Sequence, residues 1–347
     1  MRVAVINAGS SSLKYKLFDT SLQEVIETKL VQNIGEHDSE IKNHHEALES
    51  LNIDFNSLDA IGHRVVHGGE KFSSSVLITD DVEKEIERLI PLAPLHNGAN
   101  LEGIRVAKTS APTVPQIAVF DTAFHTTMPK EAYLYALPLE MYTKHSIRRY
   151  GFHGTSHSFV SKKVANELGK DIDTLNLITL HLGNGASVCA IKNGKSIDTS
   201  MGFTPLEGLI MGSRSGDIDP AIVLYMQREL GLSLDEVDTL LNKKSGLIGL
   251  CHENDVRSIV ASEDEKSKLA LSMMVRRIQK YIGSYMALLD DIDAVVFTGG
   301  IGENSAYIRE KVMNAKIFQD LKVLVVKTDE ELEIANEVVK ILENGVK

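Results

Sequence analysis

The stretch NAGSSSLK (residues 7–14) sets an asparagine, a glycine, three hydroxyls and a lysine between two apolar runs. A plain hairpin needs only a two-residue turn, so this composition suits one that holds an anion. Backbone N–H groups from Gly9 to Ser12 and the serine hydroxyls would meet phosphate oxygens, Lys14 would add a point charge, and Asn7 would offer a neutral oxygen near a metal. The G-x-x-x-x-G-K-[ST] spacing of a Walker loop is absent, and an ordinary polar turn is the competing interpretation. HLGNG (residues 181–185) repeats the shape, with His181 as a donor beside two glycines. TGGIGEN (residues 298–304) adds a third glycine turn, where a helix N-terminus would favour an anion or a nucleotide edge, although a tight strand-to-helix connection has the same composition. Three such turns in one chain point to phosphate more specifically than any one of them.

Cationic side chains supply the complement. Arg64 lies in GHRVVHGG, a run that otherwise reads as a buried strand. Arginine is seldom buried unpaired, so a carboxylate ligand or an internal acid is expected beside it. Arg214 lies in MGSRSG, where small neighbours would let a loop swing the guanidinium toward a ligand; an exposed loop arginine is the plainer alternative. His153 and His157 in GFHGTSH are four residues apart, a spacing that a helical zinc site could use, but Gly154 stands where a metalloprotease needs glutamate and no third ligand follows. Thr155 or Ser156 is expected to cap a helix through Phe159 and Val164, leaving His153 as a donor just before it and His157 as a structural residue. QIAVFDTAFH reads as a buried strand that delivers Asp121 at its end.

The elements that position these groups follow from periodicity. Val3 to Ile6 reads as a buried strand, and Leu13, Tyr15 and Leu17 alternate with polar neighbours in a second. Helical periodicity runs from Asp80 to Lys108, punctuated by Pro91 and Pro94. LITLHLGNGASVCAIKNGKSIDTS reads as strand, turn, strand, turn, strand, so a Gly-rich turn again separates the first two strands of a unit and suggests an internal duplication. Residues 269–289 form a long apolar helical pattern, followed by the strand DAVVFTGG and a helix expected to begin near Asn304.

The chain has 347 residues, longer than single cores usually grow, so two domains are expected. Its 37 basic and 48 acidic residues give a net charge of -11, which argues against nonspecific nucleic-acid binding and requires any anionic ligand to meet local positive charge or a metal. Cys189 and Cys251 stand in separate contexts, with neither a disulfide framework nor a thiolate zinc site indicated. No apolar run approaches membrane-spanning length, and a cytoplasmic protein without membrane partner is expected.

Taken in order, NAGSSSLK, GHRVVHGGEKF, LAPLHN, FDTAFHTTMP, YGFHGTSH, HLGNG, TSMGFTPLEGLIMGSRSGDIDP, NKKSG and FTGGIGEN resemble the acetate kinase family over almost the entire chain. The resemblance implies two duplicated ribonuclease-H-like α/β domains, the fold shared by actin, Hsp70 and sugar kinases, closing on ATP across an interdomain cleft. Residues 1–125 plus 332–347 would form the first domain and 126–331 the second, which would bind nucleotide and supply a homodimer interface. It further implies acetate contacts at Arg64, Val66, Leu95, Phe152 and Pro205, and catalytic roles for Asp121, His153 and Arg214, supported by His96 and His181. The implied nucleotide contacts are Lys14, His181, Leu182, Gly183, Asn184, Gly185, Asp255, Val256, Arg257, Gly300, Ile301, Gly302, Glu303 and Asn304. Magnesium, with manganese as its substitute, would be held at Asn7 and at Glu330, in TDEEL where relatives commonly carry TNEEL. The chain is shorter than most members after Asp19 and between Lys311 and Lys327, and Val256 replaces an aromatic residue in DVR.

The chemistry implied is reversible phosphoryl transfer between ATP and acetate, giving acetyl phosphate and ADP. Alternatives are a propionate or butyrate kinase of the same family, a hydroxyl kinase using Asp121 as base, and an actin- or Hsp70-like ATPase switch. The switch has no need of Arg64, Arg214 and His153 beside an apolar pocket.

Overall fold

The computed structural model describes residues 1–9, 11–22, 24–35, 39–94 and 96–345. The chain divides into two units, one comprising Met1–Thr126, Gly154–Phe159 and Asp329–Lys347, the other Thr127–His153 and Val160–Thr328.

In the first unit the strands are β1 (Arg2–Ala8), β2 (Ser12–Asp19), β3 (Glu24–Gln32), β4 (Ala60–Val65), β5 (Val76–Leu77) and β6 (Gln116–Phe120), in the order β3-β2-β1-β4-β6-β5. The antiparallel hairpins come first, β1 with β2 and β2 with β3; β4 then joins β1 in parallel and β6 joins β4 in parallel. Alternation along β1 explains why this sheet is covered on both faces. Ala4 and Ile6 pack with Val106 and Ala107 of the helix Asn97–Ser110, while Val3 and Val5 pack with Ile334, Ala335 and Val338 of the helix Glu330–Glu343.

In the second unit β7 (Leu177–Leu182), β8 (Ala186–Lys192), β9 (Lys195–Thr199), β10 (Ala294–Thr298) and β11 (Val323–Val325) lie in the order β11-β10-β7-β8-β9. Strand for strand, β9-β8-β7-β10-β11 repeats β3-β2-β1-β4-β6: a three-stranded antiparallel meander, then two parallel strands. The duplication expected from the two glycine turns is therefore a duplication of topology.

Several boundaries differ from those expected. The helix expected after Thr155 or Ser156 spans Gly154–Leu168 with His153 in the cap position, so neither hydroxyl is a cap. The long apolar helix starts at Glu265, because the Asp264 carboxylate accepts from the N–H groups of Lys266 and Ser267, and it ends at Met286. A helix begins directly after β10, over Gly299–Asn304, and a second, Ala306–Met313, is capped by Ser305.

Two imidazoles flank Arg64 on either side along the chain. His63 is 2% exposed and bonds the side chain of Gln116 at 2.8 Å, and burial pushes its pKa down to about 4; burial pushes His67 down to about 4 as well. The unfolded chain protonates both near 6.5, so their contribution to stability is complete above that pH and is lost as pH falls toward 4. Thermal unfolding across that interval should show a falling midpoint, with proton uptake on unfolding. A midpoint constant over the interval would mean that these rings are not held neutral by the fold.

Candidate active site

The first unit gathers its charges at the C-terminal ends of parallel strands, where α/β sheets usually bind ligands. Arg64 sits near the end of β4 and Asp121 directly after β6. Arg64 Nε and Nη2 both donate to Asp121 Oδ2, at 2.9 and 2.5 Å, and Nη2 lies 3.8 Å from Glu330 Oε2. Burial alone would lower the Arg64 pKa, but Asp121 and Glu330 outweigh it and hold the guanidinium fully charged. The remaining Asp121 oxygen, Oδ1, accepts the Thr155 hydroxyl at 2.8 Å. The Asp121 carbonyl accepts the Gly154 N–H at 2.9 Å, an approach that a β-carbon at Gly154 would block. The internal acid expected beside Arg64 is thus Asp121, which is only 1% exposed.

The segment after Arg64 is fixed by two buried asparagines. Asn100 accepts from the Val66 N–H at 3.0 Å and donates to the Ala8 carbonyl, and Asn97 exchanges two hydrogen bonds with the His67 backbone. Sequence reasoning missed both, although their spacing in HNGAN places them on one helix face. Around the first glycine turn, the Gly9 N–H donates to the Ser12 carbonyl at 2.7 Å and His44 Nε2 bonds the Gly9 carbonyl at 2.7 Å. Lys14 pairs with Glu331 at 2.8 Å, and Lys16 pairs with both Glu331 and Asp329 at 3.0 Å. Burial would raise the Glu331 pKa; the two lysines outweigh it and lower it. Lys14 is therefore held at the start of the helix Glu330–Glu343. Asn7 lies in register with Lys14 on the neighbouring strand. Leu95, and Ser10 in the glycine-serine turn, fall outside the described residues.

The second unit assembles a separate cluster of donors. His153 adopts a left-handed conformation, φ 57°, uncommon without glycine and a frequent mark of functional sites. Its Nδ1 bonds Ser187 Oγ at 2.9 Å and its ring stacks on His181, centroids 4.3 Å apart. A β-carbon at Gly185 would lie 3.5 Å from His153 Nε2 and 3.6 Å from Arg214 Nη1. Both nitrogens therefore crowd the bare face of Gly185.

Arg214 is braced, contrary to the expected swinging loop. Its carbonyl accepts the Met211 N–H, and the neighbouring residues Met211, Gly212 and Ser213 bond the backbone of Leu247, Ile248 and Ser245. Arg214 Nη1 donates to the Pro205 carbonyl at 3.1 Å, and among the described residues of this unit no carboxylate pairs with it. Burial lowers its pKa, the signature of a desolvated cation without an anion. Phe152 is buried in this unit and Pro205 is half-buried.

A cavity of about 580 Å³ brings together many of the implied nucleotide contacts: Gly183, Asn184, Asp255, Val256, Arg257, Gly300, Ile301 and Asn304 all line it. Arg257 chelates Asp255 through Nε and Nη2, which lowers the Asp255 pKa to about 2. Asn254, Ser305 and Tyr307 also line the cavity and were not anticipated; Tyr307 is an exposed aromatic side chain on its wall. Leu182 and Gly302 are buried, and Glu303 turns inward to accept from the N–H groups of Gly299 and Thr328 at 3.1 Å.

Residues 40–342 match the Acetokinase family. The acetate kinase of Sulfurimonas denitrificans is 54% identical, over 97% of this chain and 98% of that protein. A propionate kinase structure from Francisella tularensis superimposes with TM-score 0.93 at 42% identity, covering 97% of this chain and 98% of that one. The Porphyromonas gingivalis acetate kinase structure superimposes with TM-score 0.90 at 41% identity, covering 98% and 99%.

A buried cation without a counter-ion weakens the unliganded fold and strengthens anion binding. Arg214→Met should therefore raise the thermal midpoint of the ligand-free protein by about 2–4 °C and reduce the further rise produced by adding ATP. A lower midpoint with an undiminished ATP response would assign the guanidinium to the fold.

Proposed function

Because the chain belongs to the acetokinase family, we propose that it transfers the γ-phosphoryl group of ATP reversibly to acetate, forming acetyl phosphate and ADP. The observation that carries this is Arg214, which pairs with no carboxylate among the described residues of its unit, beside His153, their nitrogens meeting over Gly185. A carboxylate is ionised near pH 7, its ordinary pKa being about 4, so no base is needed. The obstacle is repulsion: two unit charges 4 Å apart cost about 4 kcal/mol at an effective dielectric of 20. Fixed positive charge lowers that barrier.

In the forward direction an acetate oxygen forms a bond to the γ-phosphorus while the bond from that phosphorus to the bridging oxygen breaks, and ADP leaves with the electron pair. Arg64 would hold the acetate carboxylate, with Val66 against its methyl group. Arg214 and His153 would donate to the equatorial phosphoryl oxygens, whose charge is spread in the transition state. Asp121 has one oxygen occupied by Arg64 and the other by Thr155, which supports an orienting role over that of a base. The cavity beside Gly183 and Gly300 would take the nucleotide, and by resemblance Phe152, Pro205 and Leu95 would contact acetate.

Among the described residues no group of three or more His, Cys, Asp or Glu side chains could hold a metal. Asn7 and Glu330 are both hard oxygen donors, a sparse set that fits a magnesium ion retaining waters and sharing phosphate oxygens. Such an ion, when bound, supplies charge neutralisation at the phosphates. We further propose a cytoplasmic homodimer; exposed Leu269 and Met273 on the helix Glu265–Met286 support the assembly.

With ATP, magnesium and acetate, hydroxylamine should trap acetyl hydroxamate; acetate-independent ATP hydrolysis without hydroxamate would instead indicate an ATPase switch. Val66→Ala should raise kcat/KM for propionate relative to acetate by about tenfold, the order expected for one methylene. An unchanged ratio would remove Val66 from the acyl pocket.

A further inference from the structure

We propose that Thr155 is a positioning residue for carboxylate recognition, acting through Asp121 to set the direction of Arg64; this rests on the acetate kinase reading above. An arginine that binds a substrate carboxylate must present its free N–H edge in a fixed plane. Arg64 spends Nε and one Nη2 hydrogen on Asp121 Oδ2. Which edge remains available therefore depends on how the Asp121 carboxylate is rotated.

That rotation has one described side-chain constraint besides Arg64 itself: the Thr155 hydroxyl, 2.8 Å from Oδ1. Two N–H groups converging on a single oxygen leave the carboxylate free to pivot about it. A donor on the second oxygen stops the pivot. Thr155 is well placed for this because it is 4% exposed, lies in the first turn of its helix, and follows Gly154, whose N–H is bonded to the Asp121 carbonyl. Backbone and side chain of Asp121 are thus gripped by two consecutive residues. Thr155 also lines a cavity of about 180 Å³ with Phe120, Ser158 and Glu333, so its substitution does not require the surrounding side chains to collapse onto one another.

A hydrogen bond to a charged group is worth roughly tenfold or more in an equilibrium. Thr155→Val keeps the shape and removes the donor; Thr155→Ser keeps the donor. The valine variant should raise KM for acetate about tenfold, with KM for ATP unchanged, and the serine variant should restore KM for acetate to within about twofold of the parent. Should valine fail to fold, Thr155→Ala carries the same expectation against serine. Equal rises in both KM values, no rise in either, or a serine variant as impaired as valine or alanine would overturn the proposal. Failure of the parent enzyme to form acetyl hydroxamate would instead overturn the reading on which it rests.

Discussion

The first unit depends on one buried carboxylate. Asp121 follows directly after β6 and is only 1% exposed, so its charge must be met by side chains and not by water. Arg64 comes from the adjacent strand and Thr155 from a helix that starts at Gly154. Leaving such a group unmet would cost several kcal/mol. The ion pair therefore fixes the ends of β4 and β6 and the entry of that helix together, and it leaves Arg64 charged and oriented.

The two arginines are treated in opposite ways. Arg64 is balanced by an acid in direct contact, which holds its guanidinium in one orientation. Arg214 meets only a carbonyl and a thioether among the described residues of its unit, and burial works against its charge. Its backbone is correspondingly well braced, since a desolvated cation held on a loose loop would turn outward to water. Under the proposed reaction an incoming phosphate would supply an anion to this site, and the cost of desolvating the guanidinium would already be met in the ligand-free protein.

Duplicated topology explains why glycine turns recur. In both units the connection between the first two strands of the meander emerges beside a parallel strand, and each reversal is closed by a glycine N–H, Gly9 to the Ser12 carbonyl and Gly183 to the Gly185 carbonyl. The first turn is fastened by His44 and Lys14 is drawn to Glu331; in the second, Gly185 carries no side chain at the point where His153 and Arg214 approach. Equivalent positions in the repeat have thus acquired different work. The family relationship places this arrangement among the acetokinases, and the shared strand order makes the two halves repeats of one topology.

The central strands of both sheets, the two glycine turns within the meanders and the chemical character of Arg64, Asp121, His153 and Arg214 were legible in the sequence, because alternation and residue type are local properties; the strands β3, β5 and β11 were not, and the third glycine segment is a helix, Gly299–Asn304. So was the family, whose motifs are spread along almost all of the chain. Helix starts were less legible: Asp264 and His153 took cap positions that nearby residues could also have filled. Only the tertiary structure decided that Asp121 is the partner of Arg64, that Thr155 completes it, that Asn97 and Asn100 fasten the segment after Arg64, and that Glu303 faces inward. Each of those facts joins residues distant in sequence or chooses among several donors of the same kind, and such choices are settled by which groups burial brings within hydrogen-bonding distance.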